Sequence, residues 1–185
     1  MRPVSIALLH HPVLDRAGVV VTTAITNLDV HDISRSARAF GCANFFVVHP
    51  ILAQRELCER IRDHWVTGSG KKRIPDRADA IELVRTVTSF EDVLQILGGR
   101  ASTEVMVTAA RSSECTPTPF VDARARLDQD PRHLVLCFGT GWGLSPDFLN
   151  AADVRLEPIT PSRGAGWNHL SVRAACAIVL DRLFG

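Results

Sequence analysis

Long hydrophobic runs are missing from this sequence. Its 185 residues hold apolar stretches of only a handful of positions, against the roughly 20 that cross a bilayer, so no transmembrane helix is expected. The start, MRPVSIALLHHPV, has one arginine and a short apolar stretch that His10 and His11 interrupt, and no small-residue cleavage site follows. A secretory signal is therefore not expected. Closely spaced cysteine pairs are absent too: Cys42, Cys58, Cys115, Cys137 and Cys176 stand far apart, mostly in apolar segments. This excludes zinc and disulfide frameworks and leaves reduced core thiols of a cytoplasmic protein, with no metal. Charge of one sign is also lacking. With 21 basic and 20 acidic residues, neither a polybasic nor an acidic tail exists. Internal repeats and low-complexity linkers do not occur.

The residues present suit one globular domain over 1–185. With 46% apolar and 22% charged residues, a chain of this length buries roughly 70% of its unfolded surface. Two skews survive the neutral total. All basic residues but Lys71 and Lys72 are arginine, either a trace of genomic base composition or a preference for forks that fit phosphate and carboxylate. Residues 1–77 carry 11 basic and 7 acidic side chains, while 78–185 carry 10 and 13, a weak pointer to an anionic partner of the first half.

Short β-branched apolar runs predict strands at Val4–Leu9, Val19–Thr23, Asn44–His49, Glu104–Thr108, His133–Phe138 and Val154–Leu156. Helical spacing falls between them. Val30–Phe40 sets Ile33, Ala37 and Phe40 on one stripe behind Asp29, a candidate N-cap. Leu52–Trp65, Ala78–Val87, Phe90–Leu97 (capped by Ser89) and Ser171–Phe184 follow. The alternation predicts an α/β fold, a mainly parallel sheet with helices on both faces. Residues 67–75 (TGSGKKRIP) read as a loop, either solvated or a basic finger lying on a phosphate backbone.

The chemistry concentrates late. In HLVLCFGTGWGLSP (133–146) a strand runs into Gly139, Gly141 and Gly143, whose missing side chains allow a close approach of ligand to backbone. The spacing is not the GxGxxG of dinucleotide folds, and the position is not the first strand–helix turn. A second loop rich in Gly and Pro, 160–171, precedes the last helix. Two such loops after two late strands would build a pocket at the carboxyl ends of the strands.

Three segments carry a family resemblance. They are Asn27–Gly41 with Arg35 six residues before its glycine, Leu136–Leu144, and Glu157–Thr160 continued by Asn168-His-Leu-Ser-Val-Arg-Ala-Ala. In this order and spacing the chain resembles the SPOUT superfamily of S-adenosylmethionine-dependent RNA methyltransferases. It is most similar to a small stand-alone bacterial subgroup related to, and sometimes fused to, the tRNA (guanine-N1) methyltransferase. The resemblance implies a C-terminal deep trefoil knot, a homodimer formed through it, and S-adenosylmethionine held mostly by main chain. The implied cofactor contacts are Thr108, Ala109, Phe138, Gly139, Thr140, Gly141, Ile159, Asn168, His169 and Leu170. Arg35 takes the position that holds phosphate or activates the acceptor. Asp29, where the family usually has Asn, could serve as general base or as helix cap. The second motif also departs, with Thr140 or Trp142 where a Glu is usual. Trp142 or Trp167 could stack on a base. The implied function is methylation of RNA, tRNA or rRNA. The alternatives are a catalytically inactive cofactor- or RNA-binding module of the same fold, and a nucleotide-binding enzyme such as a dehydrogenase, against which the glycine spacing counts.

Overall fold

The computed structural model describes residues 2–108, 116–160, 163 and 169–185. Six parallel strands form one sheet in the order β5-β4-β1-β7-β6-β8. They are β1 (Val4–Leu9), β4 (Asn44–Val48), β5 (Val84–Val87), β6 (Thr103–Val107), β7 (His133–Gly139) and β8 (Val154–Arg155). Alternate side chains of each strand point to opposite faces, and both faces are covered. Ile6, Leu8, Phe45, Val47, Met106, Leu134 and Leu136 pack under α1 (Asn27–Ala39), α2 (Leu52–Val66), α4 (Pro75–Ile81), α6 (Phe120–Arg126) and α8 (Val172–Phe184). Ala7, Leu9, Phe46, Val48, Val105, Val107, Val135 and Cys137 pack under α5 (Phe90–Ile96) and α7 (Pro146–Asn150). Double coverage explains why the strands read as unbroken apolar runs.

The helix from β1 lies on the first face and the helix from β7 on the second. The crevice between these neighbouring strands is thus a topological switch point, where open parallel sheets bind ligands. Leu9 lies opposite Gly139 and Val107 opposite Cys137, so the strands end nearly level and their outgoing loops meet.

Several elements differ from expectation. Ala78–Val87 splits into α4 and β5, because the β-branched Val84, Thr86 and Val87 add a strand beside β4. Residues 67–75 hold a short helix, α3 (Ser69–Arg73), with the Ile74 amide bonded to the Gly70 carbonyl at 3.0 Å. The Val19–Thr23 strand shrinks to β3 (Val20–Val21), paired antiparallel with β2 (Val13–Leu14) outside the main sheet. Asp15 causes this: its carboxylate accepts from the Ala17 and Val19 amides, and Gly18 at φ 81° closes the turn. Asp29 is not the cap of α1. Thr26 is, its hydroxyl oxygen accepting from the Asp29 amide at 3.2 Å, and Asp29 lies three residues into the helix. Ser89 does cap α5, in a reciprocal pair with Asp92.

Cys42, Cys58, Cys137 and Cys176 are buried free thiols, and burial pushes those of Cys42 and Cys58 up to about 12. Cys115 lies outside the described residues. Among the described residues, no helix is long and apolar enough to cross a membrane.

Candidate functional site

The glycine loop after β7 is zipped onto the β2–β3 hairpin. The Thr140 amide donates to the Leu9 carbonyl (3.3 Å), Trp142 to Leu14 (2.9 Å), Leu14 back to Gly143 (2.9 Å) and Ser145 to Pro12 (3.2 Å). A tight turn closed by the Gly143 amide on the Thr140 carbonyl (3.1 Å) puts Gly141 at φ 60°, a conformation that costs other residues about 1–2 kcal/mol. A Cβ at Gly139 would lie 2.8 Å from both the amide nitrogen and Cγ of Leu144, and one at Gly141 would lie 2.8 Å from the Leu14 carbonyl. At these two positions the close approach is the protein's own chain, so glycine is required by the turn itself. Gly143, at φ 105°, opens on free space.

Beside this loop lies a cavity of about 630 Å³, within the range of small-molecule sites. Eight of the ten expected cofactor residues line it: Thr108 after β6; Phe138, Gly139, Thr140 and Gly141 from β7 and its loop; Ile159 after β8; His169 and Leu170 before α8. Ala109 and Asn168 lie outside the described residues, as does Trp167. Trp142 also lines the cavity, its ring edge-on to His169 at 5.3 Å. Leu144, Leu149 and Val172 add apolar wall, and Thr23 and Glu157 polar wall.

Asp29 reaches this cavity; Arg35 does not. The Asp29 carboxylate is buried, accepting from the Thr26 hydroxyl at 2.7 Å and from the Arg173 guanidinium at 2.8 Å. Arg173 also lies 3.4 Å from Asp32 and itself lines the cavity. Sequence reading assigned Arg173 no role, although it stands inside the third motif. The signal was a lone cation in an otherwise small and apolar stretch. Arg35 is exposed on α1, six residues and about 9 Å of helix rise beyond Asp29. His31 turns away from the cavity, edge-on to Trp65 at 5.2 Å.

Behind the loop a polar network fixes Thr140. Its hydroxyl bonds the Thr23 hydroxyl, which meets Nδ1 of His10 at 3.1 Å. His49 donates from Nε2 to the Thr23 carbonyl (2.9 Å) and accepts the Ile51 amide at Nδ1 (3.1 Å), which sets its neutral tautomer. Burial, and secondarily the nearby His49, hold His10 at about 4, so it too is neutral near pH 7. Polar groups therefore shape the cavity floor without adding charge.

The chain is 39% identical over 183 residues to an uncharacterized protein of Aquifex aeolicus, covering 98% of this chain and 88% of that one. It is 38% identical over 179 residues to a tRNA (guanine-N(1)-)-methyltransferase of Oleidesulfovibrio alaskensis, covering 97% of this chain but only 41% of that longer protein. The crystal structure of the TrmH/SpoU tRNA modifying enzyme of A. aeolicus superposes with a TM-score of 0.58 at 16% identity, covering 99% of this chain and 74% of that one; it supports the fold. Over residues 3–185 the sequence matches the family described as SAM-dependent RNA methyltransferase, and the chain belongs to that family.

Proposed function

We propose that residues 1–185 act as one SPOUT-like domain that binds S-adenosylmethionine in the switch-point cavity and methylates tRNA or rRNA in the cytoplasm, as a homodimer paired through a C-terminal trefoil knot. The observation that carries this reading is the convergence of eight expected contact residues, from four separate segments, around one cavity. The lining fits the cofactor's chemistry. Leu144, Leu149, Ile159 and Leu170 offer apolar surface to a purine, while Thr108, Thr23 and Glu157 offer hydroxyls and a carboxylate to ribose and ammonium groups. Ala109 and Asn168 complete the proposed contacts.

When bound, the cofactor supplies a methyl group on a sulfonium, open to in-line displacement by an RNA oxygen or nitrogen. The protein's part is alignment and proton handling. The loop from Phe138 to Gly143, held rigid by the β2–β3 hairpin, sets the floor of the site at no reorganisation cost. Apolar walls exclude water and strengthen the electrostatic interactions inside. Asp29 is the proposed base: each of its oxygens accepts one hydrogen bond, from the Thr26 hydroxyl or from Arg173, and has a second lone pair that can take the proton. Arg35 is the proposed contact to phosphate or to the developing charge. Its distance along α1 from its own cavity favours a site shared between two copies of the chain.

Incubation with methyl-tritiated S-adenosylmethionine and bulk tRNA or rRNA from a strain lacking the gene tests this. Label in RNA, located by nucleoside mass spectrometry, is expected. Cofactor binding without transfer to either RNA would favour the inactive binding module.

A further inference from the structure

We propose that the surface where α1, α3 and α4 meet around Trp65 is the docking track for the phosphate backbone of the substrate RNA; the inference rests on the reading of this chain as an RNA methyltransferase. Trp65 organises the surface. The Arg77 guanidinium lies 5.0 Å from its ring centroid, and the rings of His31 and His64 stand edge-on at 5.2 and 5.3 Å. A Cβ at Gly70 would fall 2.7 Å from Trp65 Cε3, so α3 sits directly against the indole and presents Lys71, Lys72 and Arg73, all exposed.

Among the described residues, Arg35, Lys71, Lys72, Arg73 and Arg77 form no ion pair, whereas Arg100, Arg126, Arg132 and Arg173 are paired with carboxylates. Arg38, Arg60, Arg85 and Arg182 also have no carboxylate partner among the described residues; what sets the cluster apart is that Lys71, Lys72, Arg73 and Arg77 gather on α3 and α4 around Trp65. The nearby Asp32 faces Arg173, and two exposed acids of α4, Asp76 and Asp79, are interleaved with the cluster. Part of the charge skew of residues 1–77 therefore gathers in space as standing positive charge. Unpaired exposed cations gain by releasing counterions from a polyanion, and cations already held by carboxylates do not. The track lies on the same helix as the cavity wall, because α1 carries Asp29 in that wall and Arg35 about 9 Å further along it. A nucleotide entering the cavity would bring its neighbours' phosphates over the cluster.

The test is the salt dependence of binding to bulk tRNA, read by fluorescence anisotropy from 50 to 300 mM salt on the order of the range where counterion release dominates. The wild type is compared with a Lys71→Gln, Lys72→Gln, Arg73→Gln triple variant and with Arg85→Gln, an exposed control on β5. The triple variant is expected to lose about two units of slope in log affinity against log salt and to bind on the order of tenfold or more weakly at low salt. S-adenosylhomocysteine affinity and the control should be unchanged. Wild-type slope and affinity in the triple variant would overturn the proposal. So would an equal loss of slope with polyglutamate as the probe, which would mark a surface for an acidic polypeptide. A protein that binds tRNA through this cluster but never binds S-adenosylhomocysteine would instead refute the methyltransferase reading, so the two failures are distinguishable.

Discussion

One methyl group added at position 139 separates loop architecture from ligand contact. In Gly139→Ala the new Cβ lies 2.8 Å from the Leu144 amide nitrogen and 3.0 Å from the Gly143 carbonyl carbon. These are backbone atoms that cannot step aside as a side-chain tip would. Overpacking of this kind costs about 1–3 kcal/mol. Moving Leu144 also disturbs its bridge to Val13 and the neighbouring bond from the Ser145 amide to Pro12, at about 1 kcal/mol for a lost hydrogen bond. A total near 2–4 kcal/mol leaves most folds standing and lowers Tm by about 5–15 °C in a chain of this size. S-adenosylhomocysteine affinity should fall with it, because residues 138–144 wall the cavity. Gly143→Ala is the comparison. Its Cβ meets nothing within 4 Å, so only the positive-φ strain of about 1–2 kcal/mol is expected. Scanning calorimetry and isothermal titration on both variants read the two effects. If Gly139→Ala keeps the wild-type Tm yet loses the ligand, the loop-packing argument is refuted and position 139 is glycine for the ligand alone.

Three further outcomes are expected. Asp29→Asn should slow methyl transfer by about a hundredfold or more if Asp29 is the base; an equal loss in Arg173→Met would assign the effect to the ion pair instead, as read by single-turnover rates across pH. His10 is held at about 4 in the fold and titrates near 6.5 unfolded, so the unfolded chain binds the proton first as pH falls. Stability should decline between about pH 6.5 and 4, by up to about 3 kcal/mol, and level off below; urea titrations showing the same decline in His10→Asn would contradict this. Sedimentation should give a dimer at micromolar concentration, α8 having Val172, Ala175 and Ile178 only partly buried in the single chain, and a stable monomer would also remove the shared site.

The strands were legible because both faces of the sheet are buried, which leaves short apolar runs bounded by turn residues. Ala78–Val87 misled because Ala78, Ala80 and Ile81 end a true helix that starts at Pro75, and strand pairing with β4 then overrides the helical spacing. The cavity was legible through its glycines and motif order, and a structural turn was one reading of those glycines, but the chain they pack against was not. Nothing in the sequence shows that the β2–β3 hairpin folds onto them. Arg173 was missed because its meaning lies in Asp29, 144 positions away. The standing charge around Trp65 was hidden likewise, since sequence counts cations without telling paired from unpaired.

Hydrogen exchange with and without S-adenosylhomocysteine tests the central claim most directly. Slowed exchange is predicted at 138–145 and 169–173, with α2, α3 and α4 unchanged. Protection confined to other segments, or none under saturating ligand, would contradict a cofactor site at the β1–β7 switch point.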